Sequence, residues 1–194
     1  MSAEIEALEE LAPLHNQPAI SVIQATRAKF DPGVPQVTVF DTVFHRSIPK
    51  YARLYAIPLH LSERHKIRRY GFHGISHQYM MMRYAQVTHS PHSAINIITL
   101  HLKSGCSATA IGAGKSQDTS MSFTPLEGLV MGKRSGDIDR AIIGYLTRKE
   151  QASVSEISDW LNKKSGLLGL SGVSPDIRVL MEEFDKNERV QLAI

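Results

Sequence analysis

Cysteine is almost absent: Cys106 stands alone in 194 residues, so no internal disulfide can form. A lone cysteine fits a reducing compartment, and a cytoplasmic location is expected. Cys106 lies in a run of small and β-branched residues and reads as a small strand side chain rather than a reactive thiol. Long apolar runs are lacking too. No stretch approaches the roughly 20 residues that span a bilayer, so no membrane association is expected. Met1 to Leu14 carries Glu4, Glu6, Glu9 and Glu10 where a secretory leader would carry a basic region and an apolar run. Charge of one sign is scarce, with a net of +3. Its main concentration, Arg64-His65-Lys66-Ile67-Arg68-Arg69, with Lys163-Lys164 as a lesser pair, reads as a solvated face. A nucleic-acid surface needs a longer stripe or a binding motif, so no nucleic-acid partner is expected and small anionic substrates fit better. Repeats and low-complexity segments are missing. Apolar residues make up 42%, enough to bury one sizeable core or two small ones.

What is present can be taken along the chain. Ile5, Leu8 and Leu11 recur at helical spacing over Ala3 to Leu11, and Pro13 ends that helix. Pro32, Gly33 and Pro35 mark a loop. Gln36 to Phe40 alternates as a short strand ending at Asp41, the kind of position where open α/β sheets place ligands; a turn or helix-cap role for Asp41 is the alternative. Tyr51, Leu54 and Tyr55 suit the buried side of one turn. In Tyr70-Gly71-Phe72-His73-Gly74 the two glycines allow a sharp turn that points His73 into a cleft. Ser76 to Tyr84 reads as a helix, with Met80, Met81 and Met82 as core filler.

The stretch from Asn96 to Asp139 organises the rest. Ile97 to His101 and Cys106 to Ile111 read as strands joined by Lys103-Ser104-Gly105, followed by a Gly-Lys-Ser turn. The amides of such a loop can hold phosphate oxygens, although Lys-Ser-Gly also serves as an ordinary hairpin turn. Asp139 to Thr147 has a helical stripe of Ile142, Ile143 and Leu146. Ser153-Val154-Ser155-Glu156 is a capping box opening a helix through Ile157, Trp160 and Leu161 that Gly166 can close. Ser174-Pro175 starts another, with Pro at the first helical position.

Val39-Phe40-Asp41-Thr42-Val43-Phe44-His45, Arg68 to His77, His101 to Ser107, Met131-Gly132-Lys133-Arg134-Ser135-Gly136-Asp137-Ile138-Asp139 and Asn162 to Gly166 together closely resemble acetate kinases of the acetate/propionate kinase family. The match runs over nearly the whole chain. The resemblance implies an α/β fold, RNase H-like, of the acetate and sugar kinase, Hsc70 and actin superfamily. It implies an incomplete two-domain chain: 1–92 as the latter part of the N-terminal kinase domain, 93–194 as the first part of the C-terminal nucleotide-binding domain. The implied activity is in-line phosphoryl transfer from ATP to acetate, giving ADP and acetyl phosphate. ATP/ADP and Mg²⁺ are the implied cofactors, with most metal ligands outside this chain and none assigned within it. The implied partners are acetate or another short-chain carboxylate and, for a complete protein, a second copy in a homodimer.

Carried residue by residue, the resemblance makes Asp41, His73 and Arg134 catalytic. It gives His101, Leu102, Lys103, Ser104 and Gly105, with Asp176, Ile177 and Arg178, to the nucleotide, and Leu14, His15, Phe72 and Pro125 to the substrate pocket. A guanidinium at Arg134 matches equatorial phosphoryl oxygens and suits a transition-state clamp. The family describes Asp41 as a proton acceptor. Acetate, however, arrives ionised near pH 7 and has no proton to give, so a positioning role is expected for Asp41.

Two of the chain's departures from the family's words bear on the expected site. Lys103-Ser104 stands where Gly-Asn is usual, and Lys133 where Thr is usual. A side chain at 103 and a shorter amide substitute at 104 are expected to weaken nucleotide binding, with the Lys103 ammonium as partial compensation. The opening phosphate motif, the glycine-rich block and the late metal-binding glutamate of a complete member are missing. The chain therefore reads as a truncated central portion, and a non-catalytic remnant that acts through dimerisation or another partner is the rival expectation.

Overall fold

The computed structural model describes residues 13–194; the helix expected over Ala3 to Leu11 lies outside them. The described chain is α/β. Helix α1 (Pro13–Lys29) leads through an irregular stretch to a 3₁₀ turn at Val43–Ser47, the short helices α2 (Lys50–Arg53) and α3 (Leu59–His65), and helix α4 (Gly74–Val87). Strands β1 (Ile97–Leu102), β2 (Cys106–Gly112) and β3 (Lys115–Thr119) form an antiparallel sheet in that order, with a bulge at Ala110/Ile111. Helices α5 (Ala141–Lys149), α6 (Val154–Lys163), α7 (Gly166–Ser171), α8 (Ile177–Glu183) and α9 (Glu188–Ala193) complete it. No described helix is long and apolar enough to cross a membrane.

One face of the sheet is covered by α4, and its composition changes along the strands. The register pairs Ile97 with Ile111, then Thr99 with Thr109, then His101 with Ser107, so that face runs from apolar to hydroxylic to the hairpin loop. Helix geometry places every fourth residue on one side, and α4 answers the gradient: Ala85 and Met81 pack with Ile95 and Ile111, His77 lies over Thr99 and Ser107, and His73 caps the helix beside His101. The other face of β1 carries Ile98, Leu100 and Leu102, which are 73%, 56% and 68% exposed. Toward the hairpin, the usual assignment of apolar residues to the covered face is reversed.

Several local expectations change. Gln36 to Phe40 is not a strand: no described strand lies beside it, so its alternation has no ladder to join, and Asp41 sits in the turn that opens the 3₁₀ segment. Tyr51 is 86% exposed, whereas Tyr55 is half-buried and hydrogen-bonded. Only Met81 of the methionine triplet is buried, because consecutive helical residues point in different directions. Ala113 and Gly114 form the turn before β3, a strand the local reading took for the turn itself.

The capping box of α6 is present, with Ser153 Oγ accepting from Glu156 N at 3.2 Å and Glu156 Oε2 accepting from Ser153 N at 2.8 Å. Gly166 does not close that helix. At φ +63° it opens α7, where an added Cβ would lie 2.0 Å from the Met131 carbonyl oxygen. Pro175 precedes the N-cap of α8 rather than starting it, and Asp176 is the cap. Arg69 does not belong to the solvated basic face, because its guanidinium turns inward against the loop after β3.

Candidate active site

Asp41 is held where the 3₁₀ turn meets the start of α4. Its Oδ2 accepts from the His73 N–H at 2.5 Å and its Oδ1 from the Ile75 N–H at 3.2 Å, while its backbone carbonyl accepts from Gly74 N–H at 2.9 Å. These bonds hold His73 at φ +57°, a left-handed conformation uncommon for a residue with a side chain. A carboxylate at a helix N-terminus also satisfies otherwise unpaired amides and complements the helix dipole. Phe72 is fixed from below: the buried His45 donates from Nε2 to the Phe72 carbonyl at 2.9 Å, with its Nδ1 2.9 Å from Ser116 Oγ. Burial lowers the pKa of His45, so the ring is neutral at neutral pH. The His73 ring stacks on His101, with centroids 3.9 Å apart and planes 16° from parallel, and its Nδ1 lies 2.7 Å from Ser107 Oγ.

Arg134 approaches from the opposite side. Its loop is pinned by the start of α7: Ser165, Leu167 and Leu168 donate their amides to the carbonyls of Lys133, Met131 and Gly132 at 2.9–3.0 Å. The guanidinium is half-buried, donates from Nη1 to the Pro125 carbonyl at 3.1 Å, and has no carboxylate within ion-pairing distance among the described residues. Burial lowers its pKa from the usual arginine value. A methyl built on Gly105 would lie 3.5 Å from both Arg134 Nη1 and His73 Nε2, so the guanidinium and the imidazole face each other across that glycine.

Between them is a pocket of about 220 Å³. Asp41, Phe72 and His73 form one wall; His101, Lys103, Ser104 and Gly105 come from the hairpin; Pro125 and Arg134 close the third side. The volume is below the roughly 300–1,000 Å³ of pockets for drug-sized ligands, and suits a phosphoryl group with a small acid. Leu102 belongs to the same hairpin but is exposed outside the pocket. Leu14 and His15 fall in the first turn of α1, with their side chains outside what the structure describes.

The two segments expected to hold a nucleotide meet at Gly132. Its N–H donates to the Ser104 carbonyl at 3.3 Å, and a Cβ there would lie 3.0 Å from the Pro175 carbonyl. Asp176 next to it accepts from Arg178 Nη2 at 2.6 Å and from Arg178 Nε at 3.1 Å, and these bonds lower its pKa to about 2. Ile177 is 52% exposed. In the hairpin loop, neither Lys103 nor Ser104 has a left-handed backbone, so a side chain at 103 fits without strain.

Sequence reasoning missed the groups that brace this site. Arg69 ties the 119–127 loop to the segment before Phe72: Nη1 donates to the Thr119 carbonyl at 2.5 Å and to Ser122 Oγ, with Asp118 at 3.6 Å and Glu127 at 3.8 Å. Tyr55 adds an O–H to Glu127 at 2.5 Å and accepts from Phe123 N–H at 3.0 Å. His77, Thr99 and Ser107 are buried beneath His73. The available signal was the spacing of His73, His77 and Met81, which puts them on one side of a helix.

The chain is similar to known proteins over nearly its whole length. The chain is 54% identical over 193 residues to an acetate kinase of Heliobacterium modesticaldum, covering 99% of this chain and 48% of that protein. It is also 54% identical to one of Solibacter usitatus, over 98% of this chain and 46% of the relative. The crystal structure of a propionate kinase from Francisella tularensis superposes with a TM-score of 0.93 at 45% identity, covering 99% of this chain and 49% of that one. For Porphyromonas gingivalis acetate kinase the values are 0.91, 42%, 99% and 48%. The chain thus spans about half the length of the curated relatives it matches. The model of the acetokinase family matches residues 1–194, and the chain belongs to that family.

Proposed function

We propose that this pocket transfers the γ-phosphoryl group of ATP to the carboxylate of acetate, giving acetyl phosphate and ADP. The observation that carries the proposal is the half-buried Arg134 guanidinium, with no carboxylate against it among the described residues, facing His73 across Gly105. Transfer of this kind depends on positioning and charge neutralisation: Arg134 and His73 contact equatorial oxygens of the phosphoryl group while an acetate oxygen attacks in line and ADP leaves. Asp41 acts through His73. Both its oxygens accept backbone amides, and acetate brings no proton for it to remove, so it is a positioning residue rather than a base. Phe72 and Pro125 bound the methyl side. Propionate or butyrate enters at a modest disadvantage, since a methylene is worth about 1–3 kcal/mol.

The nucleotide lies outside the small pocket, along His101 to Gly105 and toward Asp176 to Arg178, supported by their junction at Gly132. Mg²⁺ belongs to the reaction as the companion of ATP phosphates. The described residues alone do not fit a protein-held magnesium site: Asp41 is the pocket's single carboxylate, and its oxygens are already engaged. We place the division of kinase domains at 92/93, so that the pocket lies across it, with Asp41 and His73 before and Arg134 after. The lone thiol Cys106 suits a cytoplasmic setting.

A second reading, a chain that works only with a partner such as another copy, is favoured by the exposed Ile98, Leu100 and Leu102 on β1. Acetate-dependent ADP formation with Mg-ATP, with acetyl phosphate trapped by hydroxylamine, tests both. It is run on this chain and on a hybrid in which it replaces the matching stretch of the Heliobacterium relative. Turnover by the hybrid, removed by Arg134→Ala, is expected. A folded hybrid that is silent beside an active parent would sink the catalytic assignment, and turnover by the hybrid alone would favour the partner-dependent form.

A further inference from the structure

Beneath His73 the pocket wall continues into the fold as alternating hydroxyls and imidazoles. Ser107 Oγ lies 2.7 Å from His73 Nδ1 and 2.8 Å from His77 Nε2, and Thr99 Oγ1 lies 2.7 Å from His77 Nδ1. Ser107, His77 and Thr99 are 0%, 1% and 6% exposed, so water does not complete their hydrogen bonds. A hydroxyl has one proton to give; a neutral imidazole has one N–H and one bare nitrogen. His77 is neutral near pH 7, because burial, then the neighbouring His45, His73 and His101, lowers its pKa to about 4.

Counting protons fixes the direction of the chain. Suppose His73 donated from Nδ1 to Ser107. The Ser107 proton would then go to His77 Nε2, His77 would donate from Nδ1 to Thr99, and the Thr99 proton would be left buried with no acceptor among the described residues. If both imidazoles donated to Ser107, its own proton would be stranded instead. A buried donor without an acceptor is the costly case. The opposite polarity strands none: Thr99 O–H to His77 Nδ1, His77 Nε2–H to Ser107, Ser107 O–H to His73 Nδ1.

We propose that Thr99, His77 and Ser107 form a hydrogen-bond relay that fixes His73 in the tautomer protonated on Nε2, so that it presents a donor to the pocket on the side of Arg134. The three are positioning residues. What the Nε2–H meets, a phosphoryl oxygen, rests on the function proposed above; the tautomer does not. His45 supplies an internal standard, since the Phe72 carbonyl can only accept and its Nε2 must carry the proton.

Long-range ¹H–¹⁵N correlation spectra of the labelled 194-residue chain at pH 7.5 test the relay, with His73→Gln and His77→Gln identifying the signals. The expected result is His73, His77 and His45 each as a single form protonated on Nε2. A His73 protonated on Nδ1, or averaged over both tautomers, overturns the proposal. Ser107→Ala removes the hydroxyl that lies against both rings and should turn His73 into a mixture of tautomers; an unchanged His73 spectrum overturns the relay as its cause. If that variant does not fold, the wild-type spectrum decides alone. Titration with inorganic phosphate separates the two ideas: a His73 protonated on Nε2 whose signals phosphate leaves unmoved upholds the relay and removes the phosphoryl reading.

Discussion

The pocket's two sides are built by different means. Behind His73 and Asp41, nearly every polar atom has a partner from the protein, most of them buried: Asp41 to two amides, His45 to Ser116 and the Phe72 carbonyl, His77 to Thr99 and Ser107. On the side proposed for the nucleotide, Lys103 and Ser104 are exposed, and Asp176 and Arg178 chiefly satisfy each other. The difference teaches where change is cheap. A residue in the braced wall cannot be replaced without stranding a buried partner, whereas an exposed loop residue alters only what it offers a ligand.

Arg134→Ala breaks the comparison most sharply. In the hybrid enzyme, turnover is expected to fall by about 10³-fold or more, the scale of a lost phosphoryl-clamping arginine. The fold should survive, because the Arg134 loop is held by backbone bonds from the start of α7 rather than by its side chain. A matching fall in thermal midpoint would instead make Arg134 part of the bracing.

The second test addresses the braced wall through pH. His77 has a folded pKa of about 4 against an ordinary 6.5, so as pH falls the unfolded chain takes up the proton first. The stability this neutral buried ring contributes is therefore complete above about pH 6.5 and is lost as pH falls toward 4, a span worth ~3 kcal/mol. His45, lowered by burial, acts in the same direction. Thermal midpoints between pH 8 and pH 5 should drop on the acid side, and His77→Gln should flatten that slope. A wild-type midpoint constant across the window would show that the histidines titrate normally and that this wall is not closed to water.

How much of this could be read from the sequence follows the same division. Asp41, Phe72, His73, Pro125 and Arg134 are legible from the words around them, and the structure brings them to one pocket with Gly105 also in its lining. Strands β1 and β2, helix α4 and the Ser153 cap followed from local pattern. The bracing did not. Thr99 and Ser107 look like any strand residues, and nothing local says that their face is the covered one while Ile98 and Leu100 point outward. Within the basic cluster, composition cannot tell that Arg69 alone reaches Thr119, Asp118 and Glu127, because those partners lie about fifty residues on.

Asp41→Asn sharpens the comparison from within the wall. Only one amide oxygen remains to accept, so one of the His73 and Ile75 amides meets an NH₂ group instead. Losing one hydrogen bond to a charged group should cost ~1.5–3 kcal/mol in urea unfolding. Turnover of the hybrid should fall as well, because the left-handed turn at His73 loses part of its restraint. If stability stays unchanged while turnover collapses, Asp41 touches the reactants directly and its positioning role is wrong.

Ser104→Asn carries the smallest expected effect and tests the exposed side. Ser104 lines the pocket at its surface, and its backbone is already held, its carbonyl accepting from Gly132 N–H. A longer amide there adds reach without asking the fold to move, and neither position 103 nor 104 has a strained backbone to relieve. One additional hydrogen bond to the nucleotide is worth about 1 kcal/mol, or roughly a five-fold lower Kd for ADP by calorimetry, with no shift in thermal midpoint. An unchanged Kd would mean that this hairpin does not face the nucleotide. A changed midpoint would mean that it is braced after all, and that the contrast between the two sides is false.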